Sequence, residues 1–284
     1  MISVHRSNDV ASFLAIGGEF LVEREAENNL ILGLCSRLLV DPKAYAEPPY
    51  LATAMEGERV LAIGFRTPPH NLVLSQIDDP AVIDAIARDA QDEFVSLPGV
   101  LGPKDGARAF TEIWHELTGV GAHRTMANRI YRASAARPPV GVPGLMRPYG
   151  PEDRRLVIGW LDAFISEALA REAVHETPAM LLARRIEDPD GGIVLWEDSG
   201  GPVSLAGFGN PTPNGTRVGP VYTPPVLRGR GYASALVGQM TAMLLDRGHR
   251  FCFLFTDLAN PTSNSIYQRV GYEPVSDVDQ YAFA

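Results

Sequence analysis

The residues best suited to chemistry lie between 217 and 233, where a glycine-rich loop joins a short strand to a helix. The strand ends at Pro224-Pro225, and Arg228-Gly229-Arg230-Gly231-Tyr232-Ala233 leads into an apolar helix predicted from Ser234 to Asp246. Glycines let backbone N–H groups approach a ligand closely, and the N–H groups of a first helical turn have no intrahelical partner. Two arginines add positive charge. The pattern predicts a binding site for phosphate groups.

Other phosphate-binding loops fit this segment less well. A dinucleotide-binding loop requires Gly-x-Gly-x-x-Gly after the strand, and a P-loop requires Gly-Lys-Ser/Thr. Neither motif is present at 228–233, which also weighs against a mononucleotide-binding enzyme of another fold. A turn that only packs a helix on a sheet is the plainer alternative. The two arginines, the Pro-Pro break and the small Ala233 favour ligand binding over it.

The pattern Arg-x-x-Gly-x-Ala after a strand resembles the pyrophosphate-binding loop of the GNAT acyltransferases, in which it holds acetyl-CoA. The resemblance implies acetyl-CoA as the co-substrate. It also implies cofactor contacts from the strand end, the loop and a later segment, at Val221, Tyr222, Thr223, Arg228, Gly229, Arg230, Gly231, Tyr232, Ala233, Asn260 and Asn264.

A second segment, Asn260 to Tyr272, is similar to the family's Asn-x-x-Ala-x-x-Leu-Tyr-x-x-x-Gly-Phe pattern. It has Ser263 in place of Ala, Ile266 in place of Leu, and Tyr272 in place of Phe. In the family the tyrosine lies near the CoA sulfur and can act as general acid, so the resemblance gives that role to Tyr267. Taken alone, an aromatic residue on a short helix indicates core packing.

Composition sets wide limits that agree with an enzyme of this kind. The 284 residues allow two domains, and 45% hydrophobic with 21% charged residues is typical of a globular protein. No apolar run approaches the roughly 20 residues of a membrane span, and the N-terminus lacks an apolar signal core. We therefore expect a cytoplasmic protein without membrane contact. The net charge of −9 argues against nucleic-acid binding.

The cysteines and histidines indicate no metal site. Cys35 and Cys252 lie in apolar stretches without metal-ligand spacing, which favours core packing. Five histidines have no candidate metal ligands or catalytic partners near them in the sequence, so we expect no metal; they are His5, His70, His115, His123 and His249.

The chain divides near Ala135 to Gly144, where three prolines and two glycines predict an extended linker. We expect a first module at 1–135, a linker at 136–144 and a catalytic module at 145–284. Each module is predicted to be α/β, with a mixed, mostly antiparallel sheet flanked by helices.

The two GNAT-like modules follow one plan. In the second we predict strands at 145–148, 192–197, 203–209 and 251–256, and helices at 151–169, 177–186, 234–246 and 263–270. In the first we predict strands at 50–55, 59–66, 71–75, 99–102 and 126–132, and helices at 10–22, 28–39, 80–94 and 107–118.

The first module is expected to be catalytically silent. Where the second has its arginine–glycine loop, the first has Gln76-Ile77-Asp78-Asp79-Pro80, whose carboxylates would repel a pyrophosphate. We interpret Asp78 and Asp79 as helix caps. The position that matches Tyr267 is Trp114. Its indole N–H can donate a hydrogen bond but does not release its proton at neutral pH.

These features predict an N-acetyltransferase that moves an acetyl group directly from acetyl-CoA to a primary amine. The resemblance assigns the N–H donor for the oxyanion to Val221 or its neighbours, and Tyr267 protonates the leaving thiolate. The proton acceptor stays open among Glu167, Glu172, His175, Glu176 and Asp257. The acceptor is open among small amines, amino acids, aminoglycosides, peptide N-termini and protein lysines, and the oligomeric state is also open. The alternative is a CoA-binding regulatory or scaffold module without turnover.

Overall fold

The structure, a computed structural model, describes residues 1–168 and 176–284 and divides into two compact units. Unit 1 comprises Met1–Ile130 together with Ser276–Ala284, and unit 2 comprises Tyr131–Val275. The sequence assigned 145–284 to one module, so the two divisions differ at the C-terminal end.

Unit 1 is built on hydrophobic residues that recur at strand and helix spacing. Its elements are β1 (Ile2–Arg6), α1 (Val10–Glu23), α2 (Asn29–Val40), β2 (Tyr50–Glu56), β3 (Arg59–Arg66), β4 (Leu72–Leu74), α3 (Pro80–Glu93), β5 (Gly99–Pro103), α4 (Lys104–Thr118) and most of β6 (Ala122–Ala133). Strands β1 to β4 pair antiparallel in sequence order, and β4 pairs parallel with β5.

Unit 2 repeats this order. Its elements are β7 (Leu145–Pro148), α5 (Arg154–Ala168), α6 (Pro178–Glu187), β8 (Gly192–Asp198), β9 (Gly201–Gly209), β10 (Gly215–Tyr222), α7 (Tyr232–Asp246), β11 (Phe251–Asp257), α8 (Pro261–Arg269) and the start of β12 (Glu273–Phe283). Strands β7 to β10 pair antiparallel, and β10 pairs parallel with β11.

The two halves of the chain therefore share one plan, as the sequence predicted. In the described part of each half, a strand is followed by two helices, three strands, a helix, a strand, a helix and a strand. Each sheet is mixed and mostly antiparallel, which confirms the predicted fold class. None of the described helices is long and apolar enough to cross a membrane.

The C-terminal strand is where the structure departs most from expectation. Strand β12 pairs antiparallel with β5 of unit 1, with Val278 opposite Pro103 and Ala282 opposite Gly99. Arg129 also donates to Asp277 within that unit, at 2.6 and 2.9 Å. Residues 276–284 thus complete the sheet of unit 1. Their pairing partners in β5 are more than 170 residues away in sequence, so local patterns do not reveal them.

The segment 136–144 is extended and free of helix and strand, but it is anchored to unit 2. The backbone N–H of Arg137 donates to the carbonyl of Val270 at 2.9 Å, and Trp196 Nε1 donates to the carbonyl of Pro143 at 2.9 Å. Val142 packs on the core of this unit. The three prolines therefore shape a strap along the surface of unit 2 rather than a free linker.

Trp114 lies in the core of unit 1 and is 2% exposed. Its ring stacks on Phe110 and on Phe283, with centroid distances of 5.8 and 5.7 Å. Cys35 and Cys252 are buried in the cores of units 1 and 2, as predicted. The position in unit 1 that matches Tyr267 is thus a packing residue.

The two carboxylates before α3 have different roles. Asp79 is the N-cap of α3, and its side chain accepts from the N–H of Ala81 at 2.9 Å. Asp78 instead accepts from the side-chain amide of Gln76 at 2.8 Å, so its interpretation as a cap was wrong. A single N-cap position exists at each helix start, and the residue next to Pro80 holds it.

We expect Asp79→Ala to lower the free energy of unfolding by about 1 kcal/mol, because it removes the cap of α3. Asp78→Ala is the matched control and should change it by less than about 0.5 kcal/mol. Urea denaturation of both variants measures the difference. Equal losses in the two variants would contradict the assignment of the cap.

Candidate acetyl-CoA and acyl-transfer site

The site is organised by two parallel strands that pair only at their beginnings. The register of β10 and β11 joins Gly215–Arg217 to Phe251–Phe253, whereas β10 continues to Tyr222 and β11 to Asp257. The pairing of β10 with β9 also shifts between Val218 and Val221. The edge of β10 that faces β11 therefore has no ladder partner there beyond Arg217, which leaves backbone groups near Val221 available to a ligand.

The glycine loop leads directly into the first turn of α7. Gly229 and Gly231 have φ values of +77° and +84°, in the left-handed region that favours glycine. Gly231 is the N-cap of α7, and its carbonyl accepts from the N–H of Ala235 at 2.9 Å. The N–H groups of Tyr232, Ala233 and Ser234 have no acceptor among residues 1–168 and 176–284. Three unpaired donors at a positive helix end form an anion-binding geometry.

The corresponding helix of unit 1 offers no such donors. Pro80 lacks an N–H group, and the N–H of Ala81 is bound by the Asp79 carboxylate. The N–H groups of Val82 and Ile83 donate to the carbonyl of Asp79 at 3.0 and 3.1 Å. The two helix starts differ in donors as well as in charge.

The two arginines of the loop are held differently. Arg228 donates from Nε to the carbonyl of Thr223 at 2.8 Å and from Nη2 to Glu167 at 2.6 Å. The hydroxyl of Tyr222 donates to the other oxygen of Glu167 at 3.2 Å. Arg228 and Glu167 have side-chain exposures of 48% and 44%, so the ion pair is a weak, partly solvated one. Arg230 is exposed and forms no ion pair among the described residues, although its charge acts on the nearby Asp198 carboxylate and Tyr232 hydroxyl.

The start of α7 is fixed by a second carboxylate. The hydroxyl of Tyr232, a buried residue, donates to Asp198 at 2.7 Å. This hydrogen bond holds the pKa of Asp198 below its ordinary value. Asp198 lies at the turn between β8 and β9, a position for which the sequence gives only a turn signal. The bond ties the loop to the sheet.

The predicted cofactor residues Asn260 and Asn264 both build the turn before α8. Asn260 caps this helix by accepting from the N–H of Ser263 at 3.0 Å. Asn264 donates to the carbonyls of Asp257 and Asn260 at 2.9 and 2.7 Å, and it accepts from the hydroxyl of Tyr131 at 3.0 Å. Their side chains thus have local partners, and cofactor binding by them stays a prediction.

Tyr267 lies on α8 and packs on the core of unit 2. Its ring is 6.4 Å from that of Tyr131 and 6.0 Å from that of Tyr272. Its hydroxyl has no hydrogen-bond partner in the described part of the chain. Desolvation by the surrounding protein raises the pKa of the phenol to about 12. The group stays protonated at every physiological pH.

The candidate proton acceptors are dispersed. Glu167 is bound by Arg228 and Tyr222, Glu176 accepts from Arg184 at 2.7 Å, and Asp257 accepts from the N–H of Ala259 at 2.8 Å. Glu172 and His175 lie outside the described residues. No group of three His, Cys, Asp or Glu side chains suited to a metal occurs within the described ranges.

Comparison with known proteins finds a family match within the second unit. Residues 158–272 match the profile described as "Acetyltransferase (GNAT) family". No curated protein sequence matches the chain.

Several solved structures are similar over nearly the full length. A Drosophila protein has a TM-score of 0.68 at 13% identity, covering 99% of this chain and 98% of its own. A GCN5-related N-acetyltransferase from Sphaerobacter thermophilus has a TM-score of 0.61 at 16% identity, covering 99% and 94%. A tandem GNAT protein from the clavulanic acid biosynthesis pathway has a TM-score of 0.55 at 11% identity, covering 100% and 98%. At these identities the likeness shows the fold alone, and it extends over both halves of the chain.

Proposed function

We propose that this chain, whose residues 158–272 form a GNAT acetyltransferase domain, transfers an acetyl group from acetyl-CoA directly to a primary amine. The observation that carries the proposal is the start of α7, where three unpaired N–H groups, two left-handed glycines and Arg230 meet. This set suits a pyrophosphate, because its oxygens accept several hydrogen bonds at once. The cofactor supplies an activated thioester.

Groups of this chain would then stabilise the negative charge that develops on the carbonyl oxygen and on the leaving sulfur. The amine nitrogen forms a bond to the thioester carbon and loses a proton, the carbon–sulfur bond breaks, and the sulfur takes up a proton. Val221 lies where β10 has left β11, and its backbone N–H is the proposed donor to the carbonyl oxygen. The free hydroxyl of Tyr267 is the proposed donor to the sulfur.

The raised pKa of Tyr267 shapes its proposed role. A phenol with a pKa of about 12 is a weaker acid than a thiol, whose ordinary pKa is about 8.5. Full proton transfer from the phenol to the sulfur would therefore be unfavourable by about 3.5 pKa units. We therefore assign Tyr267 mainly a hydrogen bond to the developing thiolate.

The single-site proposal predicts that acetyl-CoA binds with a stoichiometry near one per chain. In unit 1, Asp79 and Pro80 leave no free donors at the start of α3, whereas α7 has three. Isothermal titration measures the number of sites. Two equivalent sites would contradict the proposal that Asp79 and Pro80 silence the first module.

Turnover is tested by thiol release with a panel of amines. Burial raises the pKa of both Cys35 and Cys252 to about 12, so the protein's own thiols should give little background. Release of CoA that depends on the amine supports the enzyme. Binding of acetyl-CoA without turnover by any amine would instead identify a CoA-binding regulatory or scaffold protein.

We expect Tyr267→Phe to lower kcat by about 10- to 100-fold, at the weak end of the effect of a lost general acid, because a thiolate leaves readily on its own. Affinity for acetyl-CoA should hardly change, since the ring and its packing remain. The pH–rate profile below about pH 11 should keep its shape, because the phenol does not titrate there. An unchanged kcat would show that Tyr267 contributes to core packing and not to catalysis.

A further inference from the structure

Arg185, on α6, is a buried cation, two of whose nitrogens have no hydrogen-bond partner among the described residues. The residue lies within unit 2 and is 8% exposed. Nε and Nη1 are buried and have no hydrogen-bond partner among the described residues. Together these nitrogens carry three N–H donors. Arginine is almost never buried without a partner, because an unpaired buried charge is strongly unfavourable.

The side chains around Arg185 do not neutralise it by contact. Arg184 and Arg217 are both near enough to repel it, and of the described acidic groups Asp188 and Glu176 are near enough to attract it. Glu176 is bound to Arg184 at 2.7 Å. Asp188 accepts from the backbone N–H groups of Asp190 and Asn210, each at 3.0 Å. Neither carboxylate forms an ion pair with Arg185.

Burial, followed by the charge of Arg184, lowers the pKa of Arg185 to about 9. The guanidinium therefore remains charged at neutral pH.

Gly209 packs closely against the guanidinium. A Cβ atom added to Gly209 would lie 3.0 Å from Arg185 Nη1 and 2.8 Å from the Asp188 carboxylate. Gly209 has a φ of +142°, and Asn210, the next residue, has a φ of +53°. The end of β9 thus brings backbone rather than side chain against Arg185.

We propose that Arg185, with Arg184 and Arg217 beside it, forms a binding site for an oxyanion of the carboxylate or phosphate class. A bound oxyanion would accept hydrogen bonds from the unused N–H donors of Arg185 and compensate its buried charge. The site lies at the end of β9, where Gly209 is opposite Arg217 in the register with β10.

The position suggests where the anion comes from. Val221 is four residues beyond Arg217 on β10, roughly 13 Å at the rise of an extended strand. An amine acceptor that carries an anionic group could span that distance, and this link to the acceptor rests on the proposed function. A free inorganic anion acting as an effector is the other source of the same chemistry.

The site is tested with inorganic phosphate against chloride at equal ionic strength. For the wild type we expect the Tm to rise with phosphate and to saturate. Arg185→Met, which replaces the charged side chain by an apolar one, should lose the part of this rise that depends on Arg185. Phosphate that binds at the Arg230 loop contributes equally to both proteins. The matched control is Arg155→Met, which removes an exposed charge of α5 and should keep the full rise.

Two results would overturn the site. One is an equal phosphate dependence of the Tm in the wild type and in Arg185→Met. The other is a large loss of Tm in Arg185→Met in chloride together with a wild type that phosphate does not stabilise, since this would show a structural arginine. If Arg185→Met does not fold, Arg185→Lys provides the test, with an expected loss of phosphate affinity of about tenfold. Wild-type affinity in Arg185→Lys would overturn the proposal.

The source of the anion is resolved with paired acceptors, tyramine against tyrosine and glucosamine against glucosamine 6-phosphate. If the acceptor carries the anion, Arg185→Met should reduce the kcat/KM ratio of the anionic to the neutral partner by at least about 30-fold. An unchanged ratio with Arg185-dependent phosphate binding supports a free anion. Arg185-dependent phosphate binding without acetyl transfer to any amine would reject the proposed function and keep the anion site.

Discussion

Replacing Gly231 by valine should raise the dissociation constant of acetyl-CoA by at least about 100-fold, or about 2.8 kcal/mol. Gly231 has a φ of +84°, and a β-branched residue is strongly disfavoured there. Its Cβ would also lie 3.1 Å from Val142 of the strap. The backbone would leave the left-handed region and turn the N–H groups of the first turn of α7 away from the ligand.

The reason for this expected loss differs from the one the sequence alone suggests. From sequence, a side chain at Gly231 would intrude on the pyrophosphate itself. In the structure, backbone strain and the contact with Val142 act first. Either effect would prevent the three N–H groups at the start of α7 from binding the pyrophosphate.

The control for Gly231→Val stands at the other end of the same helix. Gly248 has a φ of +103°, and a Cβ there would meet nothing within 4 Å. Gly248→Val should therefore be strained and somewhat destabilised while its affinity for acetyl-CoA is kept. Isothermal titration of both variants measures the contrast. Normal affinity in a folded Gly231→Val would show that the loop is misassigned.

Trp114→Ala should lower the stability of unit 1 by about 3–5 kcal/mol, the usual cost of removing a large buried aromatic side chain. The ring is stacked between Phe110 and Phe283, so its loss leaves a cavity lined by two aromatic faces. Chemical denaturation followed by circular dichroism measures the loss. Trp114→Phe keeps part of the stacking and should lose less.

Catalysis should not depend on Trp114 beyond this loss of stability. Folded Trp114→Ala protein is expected to bind one acetyl-CoA with unchanged affinity and to turn over normally. A stable Trp114→Ala variant with much reduced kcat would show that unit 1 contributes to the chemistry, contrary to its interpretation as a silent module.

Local patterns predicted most of the elements because each has its own periodicity or turn chemistry. The pairing of β2 with β3 across Glu56-Gly57-Glu58 and the position of α7 after the glycine loop are examples. Strand β1 was not predicted, since its five residues alternate only weakly and are largely exposed. Strand β12 was also missed as an element, because it is polar and its partner is distant in sequence.

The site residues show the same limit. Glycine spacing predicts the loop 228–233, because backbone conformation depends strongly on residue type. It does not reveal that Arg228 is held by Glu167, 61 residues away. Nor does a sequence show that Arg185 is buried and Arg184 is not, since the two adjacent arginines differ only in the face of α6 they occupy.

The pairing of β12 with β5 has a consequence for how the protein is made. During synthesis β5 leaves the ribosome well before the residues that complete its sheet, and it waits through the translation of the whole second half with an uncovered edge. The first half therefore cannot reach its final structure alone, however regular its own elements are. A chain truncated before Ser276 would keep every residue of unit 2 but would leave the edge of β5 in unit 1 unpaired.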